Sequence, residues 1–467
     1  MDEPEHLFVR LRLLGSFAVN SVLFVRSETS TRISGMLNRR SFLSLTAALA
    51  SPGVLLQRRG GATSQMGALP PSIAALTSMR DQAKPITSEE RRVRIEKAKR
   101  LMAAERIDAL VLSGGTSLVY FTNIRWGGGE RLFACVIPAK GAPFFVSPAF
   151  EEDRAREQIA LGPLADGVAD VRTWNEDESP YALVAQGLKD RGLATGTVGV
   201  EETMKFVWAD GIASAAPQLK VVSGTPITAG CRMIKDDHEL ELMGIACAAT
   251  LKVYEAVYWA LEPGMTQNQV SNLIDAGYRQ VGFAGGASVQ VGEYTALPHG
   301  SITPQAIREG TIIMIDDGCT VQGYQSDITR TLVLGKPTAK MQSVFDIVKR
   351  AQTAALAAAK PGVPLESIDA AARKVVVDAG YGPGFKYFSH RLGHGMGMDG
   401  HEWPYLVRNN MFGWKTALTA QPGMVFSDEP GIYIRGEFGV RLEDDLYITP
   451  DGAKLFTPQS GSLEDPF

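Results

Sequence analysis

Ile315-Asp316-Asp317-Gly318, followed by Gly323-Tyr324-Gln325-Ser326-Asp327-Ile328-Thr329-Arg330-Thr331, is the stretch from which the fold can be read. It sets two carboxylates, Asp316 and Asp327, eleven residues apart around Gln322-Gly323, a pair suited to a tight turn. If Val321 lies opposite Tyr324, Gly318 falls opposite Asp327, and Asp316 points to the same face. Diagonal neighbours on one face of a hairpin lie about 7–8 Å apart at the backbone, so both acids can reach a shared metal pair. Strand alternation turns Asp317 the other way. The flanks, Ile312 to Ile315 and Leu332 to Leu334, are too apolar for a solvated ribbon, and carboxylates on buried strands need a counter-ion.

Further donors follow downstream. Of six histidines, four (His299, His390, His394 and His401) fall in the stretch that also holds these acids. His394 sits in Gly393-His394-Gly395-Met396-Gly397, where glycines permit close backbone approach and are expected to leave the imidazole accessible. Glu429 lies in Phe426-Ser427-Asp428-Glu429-Pro430-Gly431, and Glu443 in Val440-Arg441-Leu442-Glu443-Asp444-Asp445. Four carboxylates and one imidazole make a hard donor set that suits two divalent ions such as Mn²⁺, Co²⁺, Fe²⁺ or Zn²⁺, with no thiolate involved. Each of the five alone reads as well as a structural residue. The ordered set points to metal.

From about Arg232 to the C-terminus the chain resembles the "pita-bread" metallopeptidases: methionine aminopeptidase, aminopeptidase P and prolidase. The Asp-Gly…Gly-Tyr-x-Ser-Asp-x-Thr-Arg-Thr, Gly-His-Gly-x-Gly, Glu-Pro-Gly and Glu-Asp segments carry the likeness. His299, His390, His401 and Arg441 match positions of the Xaa-Pro branch. The region around Tyr120-Phe121-Thr122-Asn123 resembles the N-terminal domain of that branch and of creatinase, which methionine aminopeptidase lacks.

The resemblance implies an Xaa-Pro dipeptidase or aminopeptidase holding two divalent ions, Mn²⁺ first, on Asp316, Asp327, His394, Glu429 and Glu443. Asp316 and Asp327 would serve mainly one ion and His394 the other, with Glu443 bridging. A metal-bridging hydroxide would attack the bond before proline, with Glu429 as general base. His299 and His401 would face the reacting peptide. His390 and Arg441 would bind the substrate carboxylate or support the site. It also implies a homo-oligomer, dimer or tetramer. Tyr324 and Trp403 read equally as pocket or core aromatics. One departure stands out: Glu429 follows His394 by 35 residues, a longer interval than prolidase suggests, which places extra chain within 402–421. Two other readings stay open, a lyase or hydrolase of a small non-peptide substrate, like the dimethylsulfoniopropionate lyases on this fold, and a non-catalytic binding module.

A chain of 467 residues exceeds one ordinary core. It divides into a leader (1–66), an α/β creatinase-like N-terminal domain (67–230) and an α+β pita-bread catalytic domain (231–467). A capping box at Thr87 and Glu90 predicts a helix to Ile107. Strands are predicted at Ala109 to Leu112, Phe144 to Val146, Thr197 to Val200 and Leu219 to Val222. In the catalytic part, Glu262-Pro263-Gly264 and Lys360-Pro361-Gly362 each join an alanine-rich helix to a second helix, a repeat that predicts a pseudo-twofold. A net charge of −4 with mixed signs gives no nucleic-acid surface. Four cysteines without Cys-x-x-Cys spacing give neither a zinc knuckle nor a disulfide framework.

Asn38-Arg39-Arg40-Ser41-Phe42-Leu43, before an alanine-rich apolar run, reads as a twin-arginine export signal. The expected partners are then the twin-arginine machinery and a proline-containing peptide, with no stable membrane anchor. The expected location is periplasmic or secreted, or cytoplasmic if the signal is not used.

Overall fold

Thr87 caps a helix, α1 (Ser88–Glu105): its side chain accepts from Glu90 N while the Glu90 carboxylate accepts from Thr87 N, the reciprocal box expected there. The buried stripe of α1 (Arg91, Arg94, Ile95, Ala98 and Met102) has helical spacing but includes two arginines. Both guanidiniums reach the carbonyl of Tyr120, and Arg94 also bonds Tyr324 Oη on the catalytic side. The computed structural model describes residues 68–165, 169–409 and 417–467. The leader with its twin-arginine motif, and residues 410–416 of the long loop, lie outside them.

Six strands follow: β1 (Ala109–Leu112), β2 (Ala134–Pro138), β3 (Phe144–Pro148), β4 (Val171–Trp174), β5 (Gly196–Val200) and β6 (Leu219–Ser223). They form one sheet in the order β4-β3-β2-β1-β5-β6. β1 runs parallel to β5 and antiparallel to β2, so the sheet is mixed. The four strands expected here are all present. Apolar clusters on both faces explain why they read as continuous runs rather than alternations.

In the catalytic part, helices α2 (Asp237–Tyr258) and α3 (Gln267–Val281) form one pair, and α4 (Ala339–Ala358) and α5 (Leu365–Asp378) the other. The Pro-Gly turns join each pair, as the repeat predicts. β7 (Ala284–Gly285), β8 (Ser288–Val291), β9 (Thr311–Asp316), β10 (Cys319–Val321), β11 (Tyr324–Gln325) and β12 (Arg330–Leu334) make the first half's sheets, ordered β12-β9-β8 and β11-β10-β7. β13 (Gly393–Gly395), β14 (Glu402–Leu406), β15 (Val425–Asp428), β18 (Asp444–Thr449) and β19 (Gly452–Leu455) make the second, ordered β14-β13-β15-β18-β19. Between them, β16 (Gly431–Ile434) and β17 (Phe438–Arg441) form a hairpin.

β9 is buried on both faces: Ile313 and Ile315 join the cluster under α2 and α3, and Ile312 the one under α4 and α5. The two halves therefore share this strand as a wall, and its last residue is Asp316.

Candidate metal centre

The hairpin forms with the expected register, Val321 opposite Tyr324. Gln322 and Gly323 have φ of 51° and 95°, so both turn residues are left-handed, as a two-residue hairpin loop requires. The same register runs on past the acids: Ser326 N donates to Cys319 O, Ile328 N to Asp317 O, and Arg330 stands opposite Ile315. Asp327, between the bonded positions, turns its amide outward and donates to Asp445 Oδ2 at 3.0 Å, which ties the hairpin to β18. A β-carbon on Gly318 would lie 2.2 Å from Ser326 O, so only glycine fits at this crossing.

Five side chains converge. Ligand atoms of Asp316, Asp327 and Glu443 lie within 4.8 Å of one another, as do those of His394, Glu429 and Glu443. Glu443 belongs to both groups. His394 Nε2 stands 3.7 Å from Asp327 Oδ2 and 3.5 Å from Glu429 Oε1. A third group joins Asp327, His394 and His401. All of these line one cavity of about 670 Å³, together with His299, His390, Arg391, Arg441 and Asp317.

The charge of the site fits bound cations. Burial pushes Glu429 up to about 8, with Asp316 adding to the rise and Arg441 opposing it. Burial also holds Asp327 and Glu443 well above the ordinary carboxylate range, and neighbouring acids raise them further. Protein alone thus assembles more negative charge here than it neutralises, and divalent ions would supply the missing positive charge.

Two expectations need correction. His394 is buried, 1 % exposed, because its ring stacks under His401 at 3.6 Å; the glycines serve approach of the backbone rather than access. A β-carbon on Gly393 would meet Ser427 O at 2.0 Å. Asp317 does not turn away from the acids but lines the same cavity, because its φ of 109° breaks the strand alternation. Although it is exposed at the wall, the protein mass around it and the charge of Asp316 push its carboxyl up to about 6.

The supporting residues are held firmly. Arg441 Nε donates to Thr329 Oγ1 (3.0 Å), Nη1 to Tyr433 Oη and Pro298 O (3.0 Å each), and Nη2 to Asp316 Oδ2. His390 Nδ1 donates to Arg391 O at 2.7 Å, so its Nε2 accepts from Tyr433 Oη at 2.8 Å. Burial lowers His390 to about 3, and it stays neutral. Both side chains border the cleft, yet their polar atoms are largely occupied within the protein. Arg391 Nη2 donates to His401 Nδ1 (3.1 Å), which leaves the His401 proton on Nε2. Of the two aromatics, Tyr324 is buried with its hydroxyl on Glu239 and Arg94, away from the cleft, while Trp403 lines side cavities and not the metal cavity.

Sequence reading passed over Thr329 and Arg391. The Thr329 hydroxyl is fully buried, within hydrogen-bond distance of both Asp316 and Glu443 (2.6 Å to Glu443 Oε2), and accepts from Arg441. Its place beside Asp327 in the motif was the available signal; nothing in sequence marks Arg391. Thr329→Val keeps the shape and removes the hydroxyl. Metal affinity, measured by titration of the chelated protein, is expected to fall about 10- to 100-fold with the fold intact. Unchanged affinity would show that the Thr329 hydroxyl does not set the two carboxylates.

Two family models match the chain. A family model described as "Metallopeptidase family M24" matches residues 241–450, and one described as "Creatinase/Prolidase N-terminal domain" matches 94–234. "Probable dipeptidase PepE" of Mycobacterium tuberculosis is 37% identical over 363 residues, 76% of this chain and 92% of that protein. "Xaa-Pro dipeptidase" of Lactobacillus helveticus is 30% identical over 378 residues, covering 79% and 98%. The crystal structure of dipeptidase PepE from Mycobacterium ulcerans superposes with a TM-score of 0.74 at 33% identity, covering 82% of this chain and 99% of that one.

Proposed function

Because the chain belongs to metallopeptidase family M24 and carries the creatinase/prolidase N-terminal domain, we propose that it hydrolyses the peptide bond before proline, acting first on dipeptides. The observation that carries this reading is the convergence of Asp316, Asp327, His394, Glu429 and Glu443 on a cavity of about 670 Å³, room enough for a short peptide. Relatives named dipeptidase and Xaa-Pro dipeptidase support the substrate class. Proline's ring fixes the backbone and its nitrogen lacks a hydrogen, so such a bond needs a dedicated site.

The five donors would hold two divalent cations, Mn²⁺ in the first instance, with Glu443 shared as its place in both donor groups suggests. When bound, the cations supply a water acidified toward neutral pH and a Lewis acid for the carbonyl oxygen. Glu429 takes the proton of the attacking water and passes it to the leaving nitrogen. His401, with its proton on Nε2, donates to the carbonyl oxygen as negative charge develops there. His299, exposed at the cavity wall, faces the peptide. Arg441 and His390 position Asp316 and Tyr433 rather than seizing substrate.

The metal-loaded protein is to be incubated with Ala-Pro, Ala-Pro-Ala-Ala and a sulfonium substrate. Cleavage of Ala-Pro, with a higher kcat/KM than for the tetrapeptide, is expected. Failure to cleave either peptide would overturn the reading. Twin-arginine export and a homo-oligomer belong to the same proposal. Fractionation of cells carrying R39K/R40K should find the protein retained in the cytoplasm, and sedimentation of the purified chain should find a dimer or tetramer.

A further inference from the structure

Asp317 is a second kind of carboxylate in this cleft. Asp316, Asp327, Glu429 and Glu443 each fall in a donor group; among the carboxylates lining the cavity, Asp317 does not. It is also pinned. Its Oδ2 accepts from Ser288 N at 3.0 Å, and its carbonyl accepts from Tyr254 Oη at 3.0 Å and from Ile328 N. Its Oδ1 accepts no hydrogen bond, and no lysine or arginine forms an ion pair with it among the described residues. Arg441, the cation on this side, is spent on Asp316 and Thr329.

The backbone is strained to put it there. A φ of 109° is uncommon for a residue with a side chain. The result sets Asp316 and Asp317, neighbours that a strand would send to opposite faces, on one wall. Asp317 belongs to none of the donor groups, so its carboxylate faces the cleft outside the ligand set.

On the peptidase reading above, we infer that Asp317 recognises a cationic group on the residue preceding the scissile bond. Ammonium is the shared chemistry: the free α-ammonium of a dipeptide supplies it, and so does a lysine side chain. Either would donate to Oδ1 while Oδ2 stays on Ser288.

Asp317→Asn preserves shape and the bond to Ser288 and removes the charge. Two measurements separate the sources. Turnover of Lys-Pro and norleucyl-Pro is compared in metal-loaded wild type and variant. Binding of L-norleucine amide and N-acetyl-L-norleucine amide to the same proteins is followed by calorimetry, which needs no turnover. If the side-chain cation is the partner, the Lys-Pro to norleucyl-Pro ratio of kcat/KM falls about tenfold in the variant while the free and acetylated amides keep their ratio. If the α-ammonium is the partner, both dipeptides lose about tenfold through KM, and the free amide loses its advantage over the acetylated one. Equal ratios in wild type and variant, in both measurements, would overturn the assignment. Should wild type cleave neither dipeptide, the peptidase reading falls, and calorimetry still decides Asp317. The norleucine amide pair reports the α-ammonium, and N-acetyl-L-lysine amide against N-acetyl-L-norleucine amide reports the side-chain cation. No difference between wild type and variant in either pair overturns the assignment.

Discussion

Glu429→Gln is expected to lower kcat on Ala-Pro by about 10³-fold, the effect of removing a positioned general base. Glu429 stands at the end of β15 with Oε1 3.5 Å from His394 Nε2 and accepting from Ser427 Oγ at 3.3 Å. It is largely buried, and Asp316 lies near enough to raise it toward about 8. Glutamine keeps the size and one oxygen donor, so the site keeps its shape while the group that accepts a proton is lost. Glu429 also belongs to a donor group, so metal content must be measured in the same preparation. The account predicts near-complete loss of kcat even where two ions per chain are retained. A variant keeping a tenth of wild-type kcat with both ions bound would remove Glu429 from the proton path.

Chelation is expected to abolish activity and to change how stability depends on pH. A carboxylic acid with a raised folded-state pKa keeps its proton after the unfolded chain has released it. Between the two values the folded state binds more protons, so stability is present at low pH and falls as pH rises. For Glu429 that window runs from the ordinary value of 4.5 to about 8, and Asp327 and Glu443 move the same way. The metal-free protein should therefore lose Tm steadily from about pH 5 to 8. Cations favour the charged carboxylates, and binding to the folded state alone adds stability by mass action. Loaded protein should melt higher, with its largest advantage near pH 8, and show no such decline. Calorimetric melts across that range test this; identical pH dependence with and without metal would mean the acids do not titrate as a metal site must.

Much of this was legible in the chain because the donors sit where local rules are strong. The turn at Gln322-Gly323 follows from residues that tolerate positive φ, and its register carried Asp316 and Asp327 to one wall. The capping box at Thr87 and the Pro-Gly turns are equally local, and both formed. Buried strands such as β9 were legible from their continuous apolar runs. What escaped reading depends on contacts between distant segments. The outward amide of Asp327 finds its acceptor in Asp445, more than a hundred residues on, a pairing that no local rule announces. His394 is buried because His401 folds over it. Asp317 turns into the cleft through a backbone angle that strand alternation does not anticipate, and Arg391 matters only once Tyr405 and His401 are packed against it.

Anomalous diffraction from crystals of the Mn²⁺-loaded protein bears most directly on the claim that acids and imidazole from both halves cradle a pair of ions. Two peaks within coordination distance of Asp316, Asp327, His394, Glu429 and Glu443, with Glu443 touching both, are predicted. No peak in the cleft, or ions bound elsewhere with these five side chains paired only to protein, would contradict it.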